Sequence, residues 1–434
     1  MLHSATPNSD PDTSFQRNDP VSPFDTAPAK TGDTFVRHDP NFLNMVFGTD
    51  EVTPLWVADM DFAIANPIQE ELLRLANRGQ FSYEFNSKGV FAAISTWFKR
   101  RHDLSLDPEK FEQVPGVLTA IAMLIRELTE PGDSVLMQVP AYHQFGKVIS
   151  TASRNIVKSA LRNVDGSYEM DYVDLEEKLS APDVKAMILC NPHNPVGRVW
   201  RRDELEKLVE IANRHNVTII SDEIHSDIIY TGHRFTSLMA VDQKKHVSVI
   251  GSPAKTFGLH SISNGYVYTG NEELLDRFKK TADSMYLTHG NAFTTFATIA
   301  AYEKGEAWVD ALLTYLEGTV AWIDRFLKGE LPSIRMSPVE GTYQVWLDCS
   351  ATGLAGDELK ATLSESGFGA TPGTWFDQDA TQFIRVNIAA PRGDIEKAFE
   401  QFKTVLDRIA EDRAKGIVPV DQKTCSRAST NSCC

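Results

Sequence analysis

Several side chains that could cooperate in catalysis follow apolar, strand-like stretches of this sequence. Asn194 stands in NPHNP after VKAMILCN, Asp222 and His225 lie in SDEIHSD after VTIIS, and Lys255 lies in SPAKTFG after VSVIG. Taken singly, such residues are most often a turn amide, a strand-end acid, a half-buried histidine and a solvated lysine. Together they provide what pyridoxal phosphate (PLP) needs, which is an amine for a covalent bond and a carboxylate for the pyridine nitrogen.

The elements that must position these residues follow an α/β pattern. Strand-like stretches at 134–140, 184–191, 217–223 and 247–252 alternate with helical ones. In RRDELEKLVEIANRHN the apolar residues fall at helical spacing, with acids early and basic residues late. This pattern predicts a mostly parallel sheet covered by helices, with ligands bound beyond the carboxyl ends of its strands.

The pattern changes along the chain, and five segments are predicted from it. From about residue 305 long amphipathic helices surround two separate strand-like stretches, TYQVWLD and FIRVNIA, which is typical of a smaller α+β domain. Both chain ends are polar and contain few large apolar groups, so burial cannot offset their ordering entropy. The expected segments are a disordered tail (1–33), a segment contributing to the small domain (34–75), a large PLP-binding domain (76–304), the small domain (305–416) and a second disordered tail (417–434).

Composition narrows the range of partners. The formal net charge is −16 over 434 residues, and such a surface repels nucleic acid and anionic lipid. We find no signal-peptide core and no apolar run long enough for a membrane span, so a cytoplasmic location is expected. Cys190 and Cys349 stand singly, while Cys425, Cys433 and Cys434 crowd a polar tail. We expect no metal site.

Nine phrases, in order between about residues 34 and 412, resemble a known family. They are PLWVADMDF, SYEFNSKGVFAAISTWFKRRHDL, PGVLTAI, PGDSVLMQVPAYHQF, NPHNPVGRVW, SDEIHSD, AAYEKGEAWVDALLTYLEG, VEGTYQVWLD and FIRVNIAAPR. The sequence resembles the fold-type I PLP enzymes of the class I/II aminotransferase superfamily. Within them it is most similar to the cystathionine β-lyase (carbon–sulfur lyase) branch of the bacterial MalY and PatB proteins. The histidine of SDEIHSD and the GTYQVWLD phrase look like this branch.

The resemblance assigns roles around the cofactor ring. Lys255 would hold PLP covalently and later move the α-proton of the substrate. Asp222 would pair with the pyridine nitrogen and keep it protonated, so that the ring can accept electrons. Asn194 and His225 would hydrogen-bond the phenolic oxygen, and Tyr142 would stack on the ring.

The resemblance also assigns the phosphate site. Gly116, Val117 and Leu118 look like the phosphate loop, because a glycine turn before a helix exposes backbone N–H groups to an anion. Ser252 would add a hydroxyl to that phosphate. Tyr83 resembles the tyrosine that reaches the phosphate of a neighbouring subunit, which implies a homodimer with shared active sites.

Arg385 and Asp59 are assigned to the substrate. Arg385 resembles the arginine that binds the α-carboxylate of an amino-acid substrate through its planar fork, and Asp59 lies in the PLWVADMDF phrase. The segment after the lysine departs from the family, because Ala254 and Gly258 replace a serine and an asparagine and Ser261 replaces a glycine. These departures change the phosphate pocket and the substrate approach more than the chemistry at Lys255.

The resemblance implies a PLP-dependent β-lyase that cleaves S-substituted cysteines, such as cystathionine or cysteine conjugates, to a thiol, pyruvate and ammonia. The polar tails and altered lysine flank would suit fungal-type sulfur secondary metabolism, such as epidithiodiketopiperazine biosynthesis. An aminotransferase shares every step through the carbanion, and a weakly active regulatory protein that binds PLP is a third alternative.

Overall fold

The computed structural model describes residues 22–29, 34–242 and 246–416. In these ranges the α-helices are α1 (Pro40–Phe47), α2 (Asn66–Asn77), α3 (Ser87–His102), α4 (Val117–Leu128), α5 (Gln144–Thr151), α6 (Tyr172–Leu179), α7 (Arg202–Arg214), α8 (Ala254–Phe257), α9 (Glu272–Ser284), α10 (Ala292–Lys304), α11 (Glu306–Glu330), α12 (Gly356–Glu365) and α13 (Arg392–Ala414). The strands are β1 (Thr53–Pro54), β2 (Phe111–Val114), β3 (Ser134–Val139), β4 (Asn155–Ala160), β5 (Arg162–Val164), β6 (Ser167–Glu169), β7 (Val184–Cys190), β8 (Thr218–Asp222), β9 (Val247–Gly251), β10 (Gly265–Thr269), β11 (Arg335–Met336), β12 (Gln344–Asp348), β13 (Phe368–Gly369), β14 (Thr371–Pro372) and β15 (Phe383–Asn387).

The central sheet has seven strands in the order β2-β10-β9-β8-β7-β3-β4. Strands β9, β8, β7, β3 and β4 are parallel, and β10 runs antiparallel to both of its neighbours. Every residue of β3, β8 and β9 is buried, because helices cover both faces and leave no wet side that would need polar residues. The predicted mostly parallel, helix-covered sheet is confirmed.

Helix α7 illustrates how the pattern of apolar residues sets the packing. Leu205, Leu208, Val209 and Ala212 are buried on one face, as their spacing predicts. Its first turn is capped by the Glu204 carboxylate, which accepts the backbone N–H of Arg201 at 2.8 Å. None of the helices in the described ranges is long and apolar enough to cross a membrane.

The C-terminal part builds a second sheet, which is antiparallel in the order β11-β12-β15-β14. A separate buried cluster lies here, in which the Phe368 ring stacks on Phe402 at 4.9 Å and meets Phe399 edge-on at 5.0 Å. The early strand β1 pairs with β13, so the chain near residue 53 lies against this part. The smaller α+β unit is confirmed, while its exact boundaries stay a prediction.

Residues 22–29 fall within the segment predicted to be a disordered tail, and the structure differs there. Phe24 is buried at 2% exposure, and its ring packs against Phe62, Trp308 and Tyr315 at 5.0 to 5.6 Å. Burial of one aromatic side chain offsets part of the entropy lost when its neighbours in the chain are ordered. The average composition of the segment does not reveal such a single contact. Residues 1–21, 30–33, 243–245 and 417–434, the last with the three tail cysteines, lie outside the described residues.

Candidate active site

The carboxyl ends of three adjacent parallel strands bring the predicted residues to one cavity. Asn194 follows β7, Asp222 ends β8 and Lys255 follows β9. The cavity has a volume of about 320 Å³. Its lining includes Ala254, which precedes Lys255, and nine of the predicted site residues, namely Gly116, Val117, Leu118, Tyr142, Asn194, Asp222, His225, Ser252 and Lys255.

Lys255 lies on the short helix α8, which ends at Gly258 in the left-handed conformation with φ +73°. Its Nζ donates to the carbonyl oxygen of Ala58. Burial lowers the pKa of Lys255 to about 8, and the nearby Asp59 carboxylate opposes that shift. A lysine with this pKa has a sizeable neutral fraction near neutral pH, and the neutral amine is the nucleophilic form.

Asp222 is buried at the end of β8 with one backbone hydrogen bond, which its Oδ1 accepts from Ile224 at 3.1 Å. Burial raises the pKa of Asp222 to about 7, and the Ile224 N–H and the Lys255 charge oppose the shift only in part. A buried carboxylate with so little compensation would be stabilised by a cationic donor. The site therefore favours a ligand with a protonated ring nitrogen.

His225 and Asn194 add neutral polar groups to the same cavity. The Nδ1 of His225 is buried and has no hydrogen-bond partner within the described residues, and burial lowers its pKa well below the usual value. Asn194 is buried, and its Oδ1 accepts from Arg385 at 3.4 Å. A neutral imidazole and a carboxamide can donate hydrogen bonds to a ligand oxygen without adding charge.

The N-terminus of helix α4 forms one end of the cavity. Gly116 precedes the helix with extended backbone, no side chain caps the first turn, and Val117 and Leu118 begin it. The unpaired N–H groups and the positive end of the helix dipole make this end suitable for an anion. Ser252 is close by, and its hydroxyl donates to Ser263 at 3.2 Å.

Tyr142 borders the cavity in the loop after β3. Its ring lies edge-on to His143 and Phe145, with centroids 5.0 and 5.8 Å away. Burial raises the pKa of Tyr142, so its hydroxyl stays protonated. The tyrosine can therefore offer both a ring face and a neutral hydroxyl to a ligand.

Arg385 projects from β15 and is 4% exposed. Its guanidinium donates to the carbonyl oxygen of Trp56 and to Thr371 Oγ1 at 3.3 Å, and it lies 4.8 Å from the Phe376 ring. Burial lowers the pKa of Arg385 to about 10, which still leaves it cationic at neutral pH. A buried, positioned guanidinium suits a planar carboxylate.

Comparisons with known proteins place this geometry in a family. The family model for aminotransferase class I and II matches residues 70–402. The chain belongs to this family. It is 35% identical over 386 residues to the cystathionine β-lyase PatB of Bacillus subtilis, covering 88% of this chain and 99% of PatB. It is also 30% identical over 354 residues to the protein MalY of Escherichia coli, covering 81% of this chain and 90% of MalY.

A solved structure agrees with the family assignment. The PLP-bound C–S lyase of Staphylococcus hominis superimposes with a TM-score of 0.82 at 29% identity, covering 88% of this chain and 97% of that one. The predicted fold, enzyme class and cofactor are confirmed. The cavity fits PLP on its own chemistry too, since it joins a lysine of low pKa, a buried acid that lacks a cation and a free helix N-terminus.

Arg385 hydrogen-bonds Asn194 but is not among the residues that line the cavity. Two other predicted residues lie elsewhere. Tyr83 is 97% exposed and is not among the residues that line this cavity. Asp59 lines an adjoining cavity, and its carboxylate pairs with the Arg37 guanidinium at 2.7 Å. Roles for both residues stay predictions.

Sequence reasoning missed three residues that the fold brings to the cavity. Tyr343 donates its hydroxyl to the carbonyl of Ala58 at 3.1 Å, and its ring lies 5.6 Å from His225. Its phrase GTYQVWLD was noticed, but no position in it was given a role. Ser263 and His260 line the cavity, whereas Tyr343 lies beside it, next to the lining residue His225. Ser263 and His260 lie in the segment that departs from the family, where no motif indicates a function.

Proposed function

We propose that this protein is a PLP-dependent carbon–sulfur β-lyase that cleaves S-substituted cysteines to a thiol, pyruvate and ammonia. The observation that carries the proposal is one cavity lined by Lys255, Asp222 and Asn194, with Arg385 donating to Asn194 at 3.4 Å. The chain around it is 35% identical to a cystathionine β-lyase over 386 residues. PLP, when bound, draws electrons from the α-carbon of an amino acid and so acidifies its α-proton.

In this proposal the residues of the cavity hold the cofactor. Asp222 holds a proton on the pyridine nitrogen, and that proton supplies the cation which the buried carboxylate lacks. His225 and Asn194 hydrogen-bond the phenolic oxygen, and Tyr142 packs on the ring. The backbone N–H groups of Gly116, Val117 and Leu118, with the Ser252 hydroxyl, bind the phosphate.

The same proposal assigns the residues that bind the substrate and move its proton. Arg385 binds the α-carboxylate, with Asp59 nearby, and Lys255 takes the α-proton. The C–S bond then breaks and its electron pair leaves with sulfur, a good leaving group because a thiol has a pKa of about 8.5. Water converts the remaining three-carbon fragment to pyruvate and ammonia. Lys255 contacts the Ala58 carbonyl, which would help to aim its amine.

The experiment is an assay with cystathionine and other S-substituted cysteines, without any added keto acid. We expect thiol, pyruvate and ammonia in equal amounts over many turnovers, and none with Lys255→Ala. An aminotransferase would stop after one turnover until a keto acid was supplied. Strict dependence on a keto acid with no thiol released would reject the lyase.

We also propose that the natural substrate is a cysteine conjugate of sulfur secondary metabolism. Support comes from the segment after Lys255, where Gly258 and Ser261 differ from the family phrase and line the cavity beside the active site. Competition between cystathionine and aromatic or peptide-like cysteine conjugates tests this choice, and a clear preference for cystathionine would contradict it. A cytoplasmic location remains a prediction.

A homodimer with shared active sites is part of the proposal. Exposed aromatic residues group on one surface, where Tyr83 stacks on Phe85 at 6.4 Å and Phe85 lies 4.9 Å from His289. Tyr286, 79% exposed, extends the group. Exposed aromatics in one patch are typical of protein interfaces. In such a dimer Tyr83 of each protomer would reach the phosphate held by its partner.

A further inference from the structure

A second cavity of about 320 Å³ adjoins the one that holds the cofactor residues. His260 lines both cavities. Ala58 lines the first and the next residue, Asp59, lines the second. Likewise Lys255 faces the first cavity, and Gly258, at the end of the same short helix, faces the second. The lysine thus lies near the boundary between the two spaces.

Electrostatic effects cross this boundary in both directions. The Asp59 carboxylate of the second cavity opposes the burial that lowers the pKa of Lys255. Burial lowers the pKa of His260 well below its usual value, and the charge of Lys255 adds to that effect. These groups belong to adjoining linings, since His260 lines both cavities. A substrate held at Lys255 is therefore within reach of the second cavity.

The walls of the second cavity are mainly apolar, with Phe62, Ile64, Leu259 and Ile262 among them. Pro28 and Ala29 also line it, a few residues beyond the buried anchor Phe24. This surface suits a substituent with considerable apolar area rather than a methyl group.

The polar groups that line the second cavity differ in whether they already have a partner. Arg37 is 1% exposed, pairs with Asp59 and donates to the carbonyls of Val57 and Asp59 at 3.1 Å. His38 pairs with Asp61 at 3.1 Å. The His260 Nε2 is buried and has no hydrogen-bond partner among the described residues. An anionic group would find Arg37 already paired, whereas a neutral hydrogen-bond donor would find the Nε2 of His260 without a partner among the described residues.

We propose that the second cavity binds the sulfur substituent of the substrate and selects a bulky, mostly apolar substituent that carries a hydrogen-bond donor. His260 accepts or orients that donor through Nε2, and the substituent departs as a thiolate from this cavity once the C–S bond breaks. This inference rests on the proposed lyase function, since it assigns the leaving group of that reaction.

The test measures binding to the PLP-loaded enzyme by the change in cofactor absorbance. Three α-methylcysteines are compared, which carry an S-methyl, an S-(4-aminobenzyl) or an S-(4-carboxybenzyl) group. They lack the α-proton, so they bind without elimination. We expect the aminobenzyl compound to bind about tenfold tighter than each of the other two, the scale of one buried hydrogen bond plus ring burial.

Variants at His260 and Ser261 test whether the second cavity is where the substituent is selected. His260→Ala should reduce the preference for aminobenzyl over carboxybenzyl, and His260→Gln, whose amide can replace Nε2, should restore part of it. Ser261 is exposed at the edge of the cavity. Ser261→Trp should weaken both benzyl compounds about tenfold by occupying space, while the matched Ser261→Ala should not.

Equal binding of all three compounds, or a Ser261→Trp effect that is the same on the S-methyl compound, would overturn the inference. So would an unchanged preference in His260→Ala. The lyase proposal is tested separately by pyruvate release from S-(4-aminobenzyl)cysteine, which has its α-proton. Selective binding without pyruvate would reject the lyase and retain the second cavity as a substituent site. Pyruvate without selective binding would support the lyase and reject the second cavity as the substituent site.

Discussion

At the scale of single residues, the buried carboxyl of Asp222 controls how the site responds to pH. Burial raises its pKa from 3.8 to about 7, so in the folded protein without PLP the carboxyl keeps its proton at pH values where the unfolded chain has lost it. Folding therefore becomes less favourable as the pH rises from about 4 to 7. Asp222→Asn cannot ionise, and we expect it to exceed wild type in unfolding free energy by about 2 to 4 kcal/mol at pH 8 and by less at pH 5. Urea unfolding of the PLP-free proteins measures this difference.

Asp227 provides a control of opposite sign. Burial alone would raise its pKa, but hydrogen bonds from His102, Trp97 and Thr256 lower it. Asp227→Asn should therefore destabilise the protein at neutral pH. A stability difference for Asp222→Asn that does not change with pH would contradict the prediction. In the PLP-loaded enzyme Asp222→Asn should lose most of its turnover, because the proposed partner of the ring nitrogen is removed.

Arg385 should matter for the amino acid more than for the cofactor. Its fork already bonds Trp56 and Thr371, so it is held in place for a carboxylate. Arg385→Lys keeps the charge but loses the two-point geometry, and we expect a loss of about 2 to 5 kcal/mol in substrate affinity. A raised KM with normal PLP absorbance is the expected result. Arg392→Lys, at a helix start in the C-terminal part, is the control. Normal KM with lost cofactor would show that Arg385 has been misassigned.

At the scale of elements, the start of helix α4 depends on a glycine in the neighbouring strand β10. A Cβ on Gly265 would lie 2.7 Å from the carbonyl carbon of Gly116 and 2.8 Å from the amide nitrogen of Val117. Both atoms are backbone, so Gly265→Ala must move the turn that we propose binds the phosphate through its N–H groups. We expect at least about a tenfold loss of PLP affinity, because those hydrogen bonds to an anion depend on position.

Gly329, in helix α11, is the matched control for that prediction. A Cβ there meets open space. Gly329→Ala should stabilise the protein by about 0.5 to 1 kcal/mol, since alanine loses less entropy in a helix, and should leave PLP affinity unchanged. PLP titration and thermal unfolding of both variants decide the matter. Equal PLP affinity in Gly265→Ala and wild type would exclude the proposed phosphate turn.

At the scale of the whole molecule, the position of Tyr83 predicts complementation between subunits. The side chain of Tyr83 is 97% exposed within its own protomer. Any contact that it makes with a cofactor would therefore be with the cofactor of a second protomer. A dimer of Tyr83→Ala and Lys255→Ala protomers would contain one site with neither change. Mixing the two weak variants with exchange of subunits should restore roughly a quarter of wild-type activity. Sedimentation checks the dimer and mass spectrometry of tagged protomers checks the exchange. No recovery after proven exchange would place Tyr83 outside the partner's site.

The sequence by itself determined much of the chemistry of this protein. The strands β3, β7, β8 and β9 could be predicted because buried parallel strands need continuous apolar residues, and each strand ends one residue before the end of its predicted stretch. Strand ends share one edge of a sheet, so Asn194, Asp222 and Lys255 could be predicted to converge. The charge of −16 and the order of the motifs are likewise properties of the chain alone.

Only the tertiary structure decided what surrounds these groups. Burial raises the pKa of Asp222 and lowers that of Lys255. Segments that are distant in sequence bury these groups together, and one of them is the loop at Ala58, whose carbonyl contacts the lysine. The same holds for Phe24, whose pocket is built by residues about 40 to 290 positions away. The cavity at His260 has no local signature, because its walls come from separate segments and no single stretch contains the space between them.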